Sequence, residues 1–161
     1  MNLNPDFREC IALLNAHDVR YLVVGGYAVG MHGHPRYTKD LDIWIDRSPE
    51  NAERVLDALD AFGFGGIGLS VDDIGLSVDD LTDPDSIVQL GRVPNRIDLM
   101  TTLSGVTFDE CYPNRVVDQS DDTTVQYIGL EDLMANKRAL GRHRDLGDVE
   151  DLGGDVPDPD G

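Results

Sequence analysis

Asp40 and Asp42 stand two residues apart in Lys39-Asp40-Leu41-Asp42-Ile43-Trp44-Ile45-Asp46, an alternation of apolar and polar residues with the period of a β-strand. Leu41, Ile43 and Ile45 face one way; Asp40, Asp42, Trp44 and Asp46 face the other. Two carboxylates on one strand face can share hard cations of the magnesium type, which take oxygen ligands and leave positions open for phosphates. The spacing alone says little in a chain with 25 aspartates, because Asp83-Pro84-Asp85 and Asp158-Pro159-Asp160 share it and read as solvated turns. What sets Asp40 and Asp42 apart is their place inside a hydrophobic strand, shortly after a pair of glycines.

Those glycines, in Val23-Val24-Gly25-Gly26-Tyr27, end a short apolar strand and lead into a brief helix. Unpaired backbone N–H groups at such a turn favour phosphate, and glycine lets an anion approach the main chain. A third carboxylate, Asp98, sits in Arg96-Ile97-Asp98-Leu99-Met100, with Ile97 and Leu99 on the core face. If this strand lies beside Lys39–Asp46, three acids gather on one sheet face and repel one another until a cation neutralises them. Arg36, with Thr38 close by, can meet a phosphate or pair with a carboxylate.

Further along, Lys137 falls on the inward side of a predicted helix with Leu133 and Leu140, and Asp145 on that of the next with Val149 and Leu152. A buried lysine needs an anionic partner, which Asp145 or a nucleotide phosphate supplies, unless its head snorkels to water. His32-x-His34 lacks a third nitrogen or sulfur ligand nearby and reads as a helix end or the mouth of a site. Trp44 either fills the core or stacks on a base.

The elements that must position these residues are legible in outline. Asn4-Pro5 starts a helix that carries Phe7, Ile11 and Leu14 and runs to about His17. Val19–Val24 is a strand, Tyr27–His32 a brief helix, and Ser48-Pro49 opens a helix whose stripe is Ala52, Val55, Leu56, Leu59 and Phe62. Ile87–Gly91 and Arg96–Thr101 read as strands joined by a tight Val93-Pro94-Asn95 turn, and Thr124–Ile128 as a further strand. Leu130–Leu140 and Arg144–Leu152 are closing helices. Between them, Ile67–Asp73 is repeated without change as Ile74–Asp80, a single tandem heptad that a loop tolerates.

The chain has 161 residues, enough for one domain over 1–152, followed by a Gly/Pro/Asp tail over 153–161 that is expected to be disordered. Its charge is extreme: 31 acidic against 13 basic residues, a net charge of -18, with only two lysines. The acids run through the whole sequence, as in proteins suited to high salt, and no basic patch exists to bind nucleic acid in general. Cys10 and Cys111 make no metal or disulfide framework, which predicts a reducing cytoplasm. Met1–Asp6 lacks a basic-then-apolar leader, and no apolar run reaches membrane length, so the chain is expected to be soluble and cytoplasmic.

Gly25-Gly26, then Asp40-Leu41-Asp42-Ile43, then a strand bearing Asp98 together resemble the polymerase β-like nucleotidyltransferase superfamily. The Gly25-Gly26-Tyr27-Ala28-Val29 start and the Arg36-x-Thr38-x-Asp40 approach resemble its small prokaryotic branch. That branch includes aminoglycoside nucleotidyltransferase-like proteins and the nucleotidyltransferase toxins of abortive-infection systems. The resemblance covers Val19 to Leu152 and implies a mixed α/β (α+β) fold, a small twisted sheet flanked by helices. It implies transfer of an NMP from a nucleoside triphosphate to a hydroxyl with release of pyrophosphate, using magnesium, two ions by the family pattern. Asp40 and Asp42 would hold the ions; Asp98 would hold one and help to deprotonate the acceptor. Gly25, Gly26, Arg36, Thr38, Lys137 and Asp145 would form the nucleotide site. One departure stands out: many members have Gly-Ser where this chain has Gly25-Gly26. The acceptor stays open among a small alcohol, a protein side chain and a tRNA end, and a partner protein or a second copy can complete the site. The rival is a non-catalytic nucleotide-binding or antitoxin-type module that kept the fold.

Overall fold

Local sequence signals set the first helix, α1 (Pro5–Ala16): the Asn4 side chain accepts from the Phe7 N–H at 2.9 Å, and Pro5 occupies the first turn. Phe7, Cys10, Ile11 and Leu14 form its buried stripe. The structure is a computed structural model and describes residues 3–33, 38–66, 75–90, 96–120 and 122–155. After α1 come β1 (Tyr21–Val24), α2 (Gly25–Met31), β2 (Leu41–Ile45), α3 (Pro49–Gly66) and α4 (Val78–Thr82). Then follow β3 (Ile87–Leu90), β4 (Ile97–Met100), α5 (Phe108–Cys111), β5 (Val116–Ser120), β6 (Thr123–Tyr127), α6 (Leu130–Leu140) and α7 (His143–Asp151). A 3₁₀ turn, Tyr112–Asn114, joins α5 to the strand after it.

The six strands form one mixed sheet in the order β3-β4-β2-β1-β6-β5. β1 and β2 pair antiparallel, β2 and β4 parallel, and β3 and β5 close the two edges. Tyr21 stands opposite Ile45, and its hydroxyl donates to Asn15 Oδ1 of α1 at 2.9 Å. This puts α1 on the face of Tyr21, Val23, Ile43 and Ile45, and α3 packs against α1 there. Asn51 of α3, 1% exposed, ties that helix to the sheet: it accepts from Arg20 N at 2.8 Å and donates to Asp46 O at 2.7 Å. The other face carries Val24, Asp42 and Trp44.

The predicted elements are present, and β3 and β4 pair antiparallel as expected, although Val93-Pro94-Asn95 and the first heptad of the repeat lie outside the described residues. Three elements had no counterpart in the sequence reading: α4, α5 and β5. Within the second heptad, Ser77 and Asp80 make a reciprocal capping box that starts α4. At the chain's end, Arg138 Nε donates to Asp155 O at 3.0 Å, and Gly154 packs against Met134 and Val149. No helix among the described residues is long and apolar enough to cross a membrane.

Candidate active site

β1 passes into α2 at Gly25 without a connecting residue. Gly25 takes φ +68°, and a Cβ there would run into Asp42 Oδ2. At Gly26 a Cβ would lie 2.7 Å from Thr38 Cγ2 and 3.1 Å from its Oγ1. Both glycines are therefore required by the protein's own side chains: one makes room for an acid, the other for a threonine. The departure from Gly-Ser has the same cause, because Thr38 fills the space into which a serine at position 26 would project.

β2 and β4 are in register, with Asp42 opposite Asp98. The condition that the sequence imposed on Asp98, a place beside the Asp40–Asp42 strand, is met. Asp40 lies just ahead of β2, where the Leu41 N–H donates to Arg96 O at 3.0 Å. Burial first, then the charges of Asp98 and Asp40, push the Asp42 carboxyl up to about 6; Lys137 and Arg96 act against this.

Arg96 occupies the centre of the cluster. Its Nε lies 3.0 Å from Asp98 Oδ1, and an Nη lies 3.4 Å from Asp40 Oδ2. Among the described residues no three acidic, histidine or cysteine side chains are gathered into a ready-made metal cage. The donors still suit a hard cation of the magnesium class: they are all carboxylate oxygens, one of them buried and repelled by its neighbours.

α6 and α7 bring a buried ion-pair cluster to the same cleft as Asp40 and Asp42. Lys137, 7% exposed, lies 3.4 Å from Asp145 Oδ1 and 3.1 Å from Asp148 Oδ2. Arg142 grips Asp145 through two nitrogens. Burial pushes the Asp145 carboxyl up, but the Arg142 hydrogen bond and the Lys137 charge outweigh it and hold it below the usual range. The cleft measures about 680 Å³. Gly25, Gly26, Thr38, Asp40 and Asp42 line it together with Asn136, Lys137, Arg142, Arg144 and Asp148, whereas Asp98 and Asp145 do not. Lys137, Arg142 and Arg144 are here set against Asp145 and Asp148, so the cluster carries one formal positive charge in a chain of net charge -18.

Of the remaining sequence candidates, Arg36 and His34 lie outside the described residues. His32 ends α2, and its Nε2 sits 2.7 Å from Ile128 O. Trp44 is core: it is 1% exposed and meets Phe108 edge-on, ring centroids 5.2 Å apart. Sequence reading passed over Arg96, Arg142 and Asp148. Arg96 and Asp98 are two apart on a strand, and Asp145 and Asp148 three apart on a helix, so same-face spacing was the available signal.

No family model and no curated protein matches the chain. Among solved structures, the lincomycin-bound lincosamide antibiotic adenylyltransferase LnuA aligns with a TM-score of 0.54 and 14% identity, over 94% of this chain and 96% of that one. An antigenic nucleotidyltransferase-like protein from Paracoccidioides brasiliensis aligns with a TM-score of 0.47 and 14% identity, over 94% and 76%. With its mixed six-stranded sheet and flanking helices, the chain shares the fold of that lincosamide adenylyltransferase.

Proposed function

We propose that the chain is a magnesium-dependent nucleotidyltransferase that moves an NMP from a nucleoside triphosphate to a hydroxyl acceptor and releases pyrophosphate. The observation that carries this reading is the register of Asp42 with Asp98, beside a cleft that Asp40 and Asp42 line together with Lys137, Arg142 and Arg144. Asp40 and Asp42 would hold the cations, and Asp98 one of them. Magnesium, when bound, neutralises charge that builds on the phosphates during transfer. The chain's own groups do the rest. Gly25 and Gly26 would offer main-chain N–H groups to the triphosphate, and Thr38, packed against Gly26, a hydroxyl. Lys137, braced by Asp145 and Asp148, offers a fixed positive charge toward it. Asp98 accepts the proton of the attacking hydroxyl. Arg36 belongs to the same proposed nucleotide site.

For the acceptor we favour a small alcohol, since the solved structure with the matching fold is named for an antibiotic substrate of that size. The acidic surface disfavours a tRNA end. We place the protein in a salt-rich cytoplasm on the same charge argument. The test is incubation with magnesium and each labelled nucleoside triphosphate, with and without candidate alcohols, scoring pyrophosphate release. Wild type should release it and Asp42→Ala should not. Identical behaviour of the two proteins sinks the enzyme reading and favours the non-catalytic binder.

A further inference from the structure

We propose that Arg96 is a built-in counter-cation of the acid cluster, holding Asp98 permanently and Asp40 only until a divalent cation displaces it. The inference rests on the metal-dependent reading above and adds a role that this reading does not require.

The two ion pairs are unequal. The Asp98 pair is the shorter, 3.0 Å, and its carboxylate is only 13% exposed; the Asp40 pair is longer, 3.4 Å, and its carboxylate is 39% exposed. Screening and water competition weaken the second far more than the first. The main chain of Arg96 is also anchored. The Arg96 backbone carbonyl accepts the Leu41 N–H at 3.0 Å, which fixes the root of the side chain between the two acidic strands, and the Asp98 pair holds its head. Arginine suits the position for two reasons. Its planar fork can reach two carboxylates at once, and it stays charged at every working pH, so only another cation can release Asp40.

The consequence is a graded site. With Arg96 in place, a bare divalent cation meets one positive charge and a carboxylate already engaged. Its binding is weakened, while the folded protein is spared three unneutralised acids. A triphosphate arriving with its own cation brings enough additional interaction to take Asp40 from Arg96. The site therefore stays nearly free of cation until the nucleotide comes, and Asp98 keeps its orientation throughout.

The experiment uses the full chain without nucleotide and Mn2+ as probe, with free ion followed by electron paramagnetic resonance and melting temperature followed in parallel. Arg96→Gln should bind Mn2+ on the order of tenfold more tightly than wild type, the scale of one nearby charge. Its melting temperature without metal should be lower, and Mn2+ should raise it more. Arg47→Gln makes the same change in net charge at the far end of β2, where Arg47 bonds Thr82 O, and should leave the affinity unchanged. Equal or weaker Mn2+ binding by Arg96→Gln than by wild type overturns the proposal alone; absence of binding in both overturns the metal reading with it. Should Arg96→Gln fail to melt cooperatively, Arg96→Lys decides. A point charge cannot span both acids, so it should bind Mn2+ severalfold more tightly than wild type, and an unchanged affinity overturns the proposal.

Discussion

Asp42 and Asp98 are register partners across the parallel β2–β4 pair, so two carboxylates stand side by side on one face of the sheet. Burial and this neighbour hold the Asp42 carboxyl at about 6, above its ordinary 3.8. The folded protein thus binds that proton more tightly than the unfolded chain does. Stability from this source is complete below about pH 4 and is lost as pH rises through about 6. In chelator, Asp42→Asn should therefore be more stable than wild type at pH 7 to 8, by roughly 1–3 kcal/mol. The advantage should vanish at pH 4. Denaturant melts across that range check it; a variant less stable than wild type at pH 8 would show that the cluster is not strained.

The glycine pair gives a contrast between two neighbouring sites. Gly26 has ordinary backbone angles and is crowded by Thr38 alone, whose methyl lies 2.7 Å and whose Oγ1 lies 3.1 Å from a Cβ placed there. Gly26→Ala should be destabilised by about 1–2 kcal/mol, and adding Thr38→Ser, which removes the closer of the two crowding atoms, should restore part of the loss. Gly25→Ala has no such remedy, since its φ of +68° and the Asp42 carboxylate both oppose a side chain. Melts of the four proteins in the Gly26/Thr38 cycle, with Gly25→Ala beside them, measure the difference.

The acids were legible because they interrupt apolar strands: Leu41, Ile43, Ile97 and Leu99 declare the core face, and Asp42 and Asp98 fall on the other by period alone. What the sequence withheld was pairing. Nothing in Arg96-Ile97-Asp98 says which strand lies next door, so the hold of Arg96 on Asp40, 56 residues away, could not be read. β5 escaped for a different reason. Val116 and Val117 are consecutive and exposed at 37% and 55%, so the edge strand lacks the alternation that marks a half-buried one. Only its antiparallel pairing with Thr123–Tyr127 makes it a strand. Trp44 shares the face of Asp42, yet Phe108 of α5 covers it, and α5 was itself unpredicted.

Charge should also make the whole molecule salt-sensitive. With 31 acids against 13 bases, self-repulsion opposes the compact state until ions screen it. Raising potassium chloride from about 0.1 M to about 2 M should raise the melting temperature on the order of 5 °C. Flat or falling melting temperatures would remove the high-salt reading of the composition.

The ion pairs of α6 and α7 should titrate in the opposite sense to Asp42. Asp145 is fully buried, and Arg142 and Lys137 hold its carboxyl below 3.8 despite that burial. Its stabilising contribution is present above the unfolded-state value and is lost as pH falls through the lower, folded one. Asp145→Asn should therefore be less stable than wild type at pH 7, and the two curves should begin to converge only below about pH 4. Lys137→Met should be worse at neutral pH, by about 3–5 kcal/mol, because it removes a cation from between two buried carboxylates at once. That loss should also shrink in acid, as Asp145 takes up its proton. Thermal melts of the two variants from about pH 3 to 8 test the pair together. If Lys137→Met instead melts like wild type while nucleotide binding is lost, the lysine serves the ligand and not the fold.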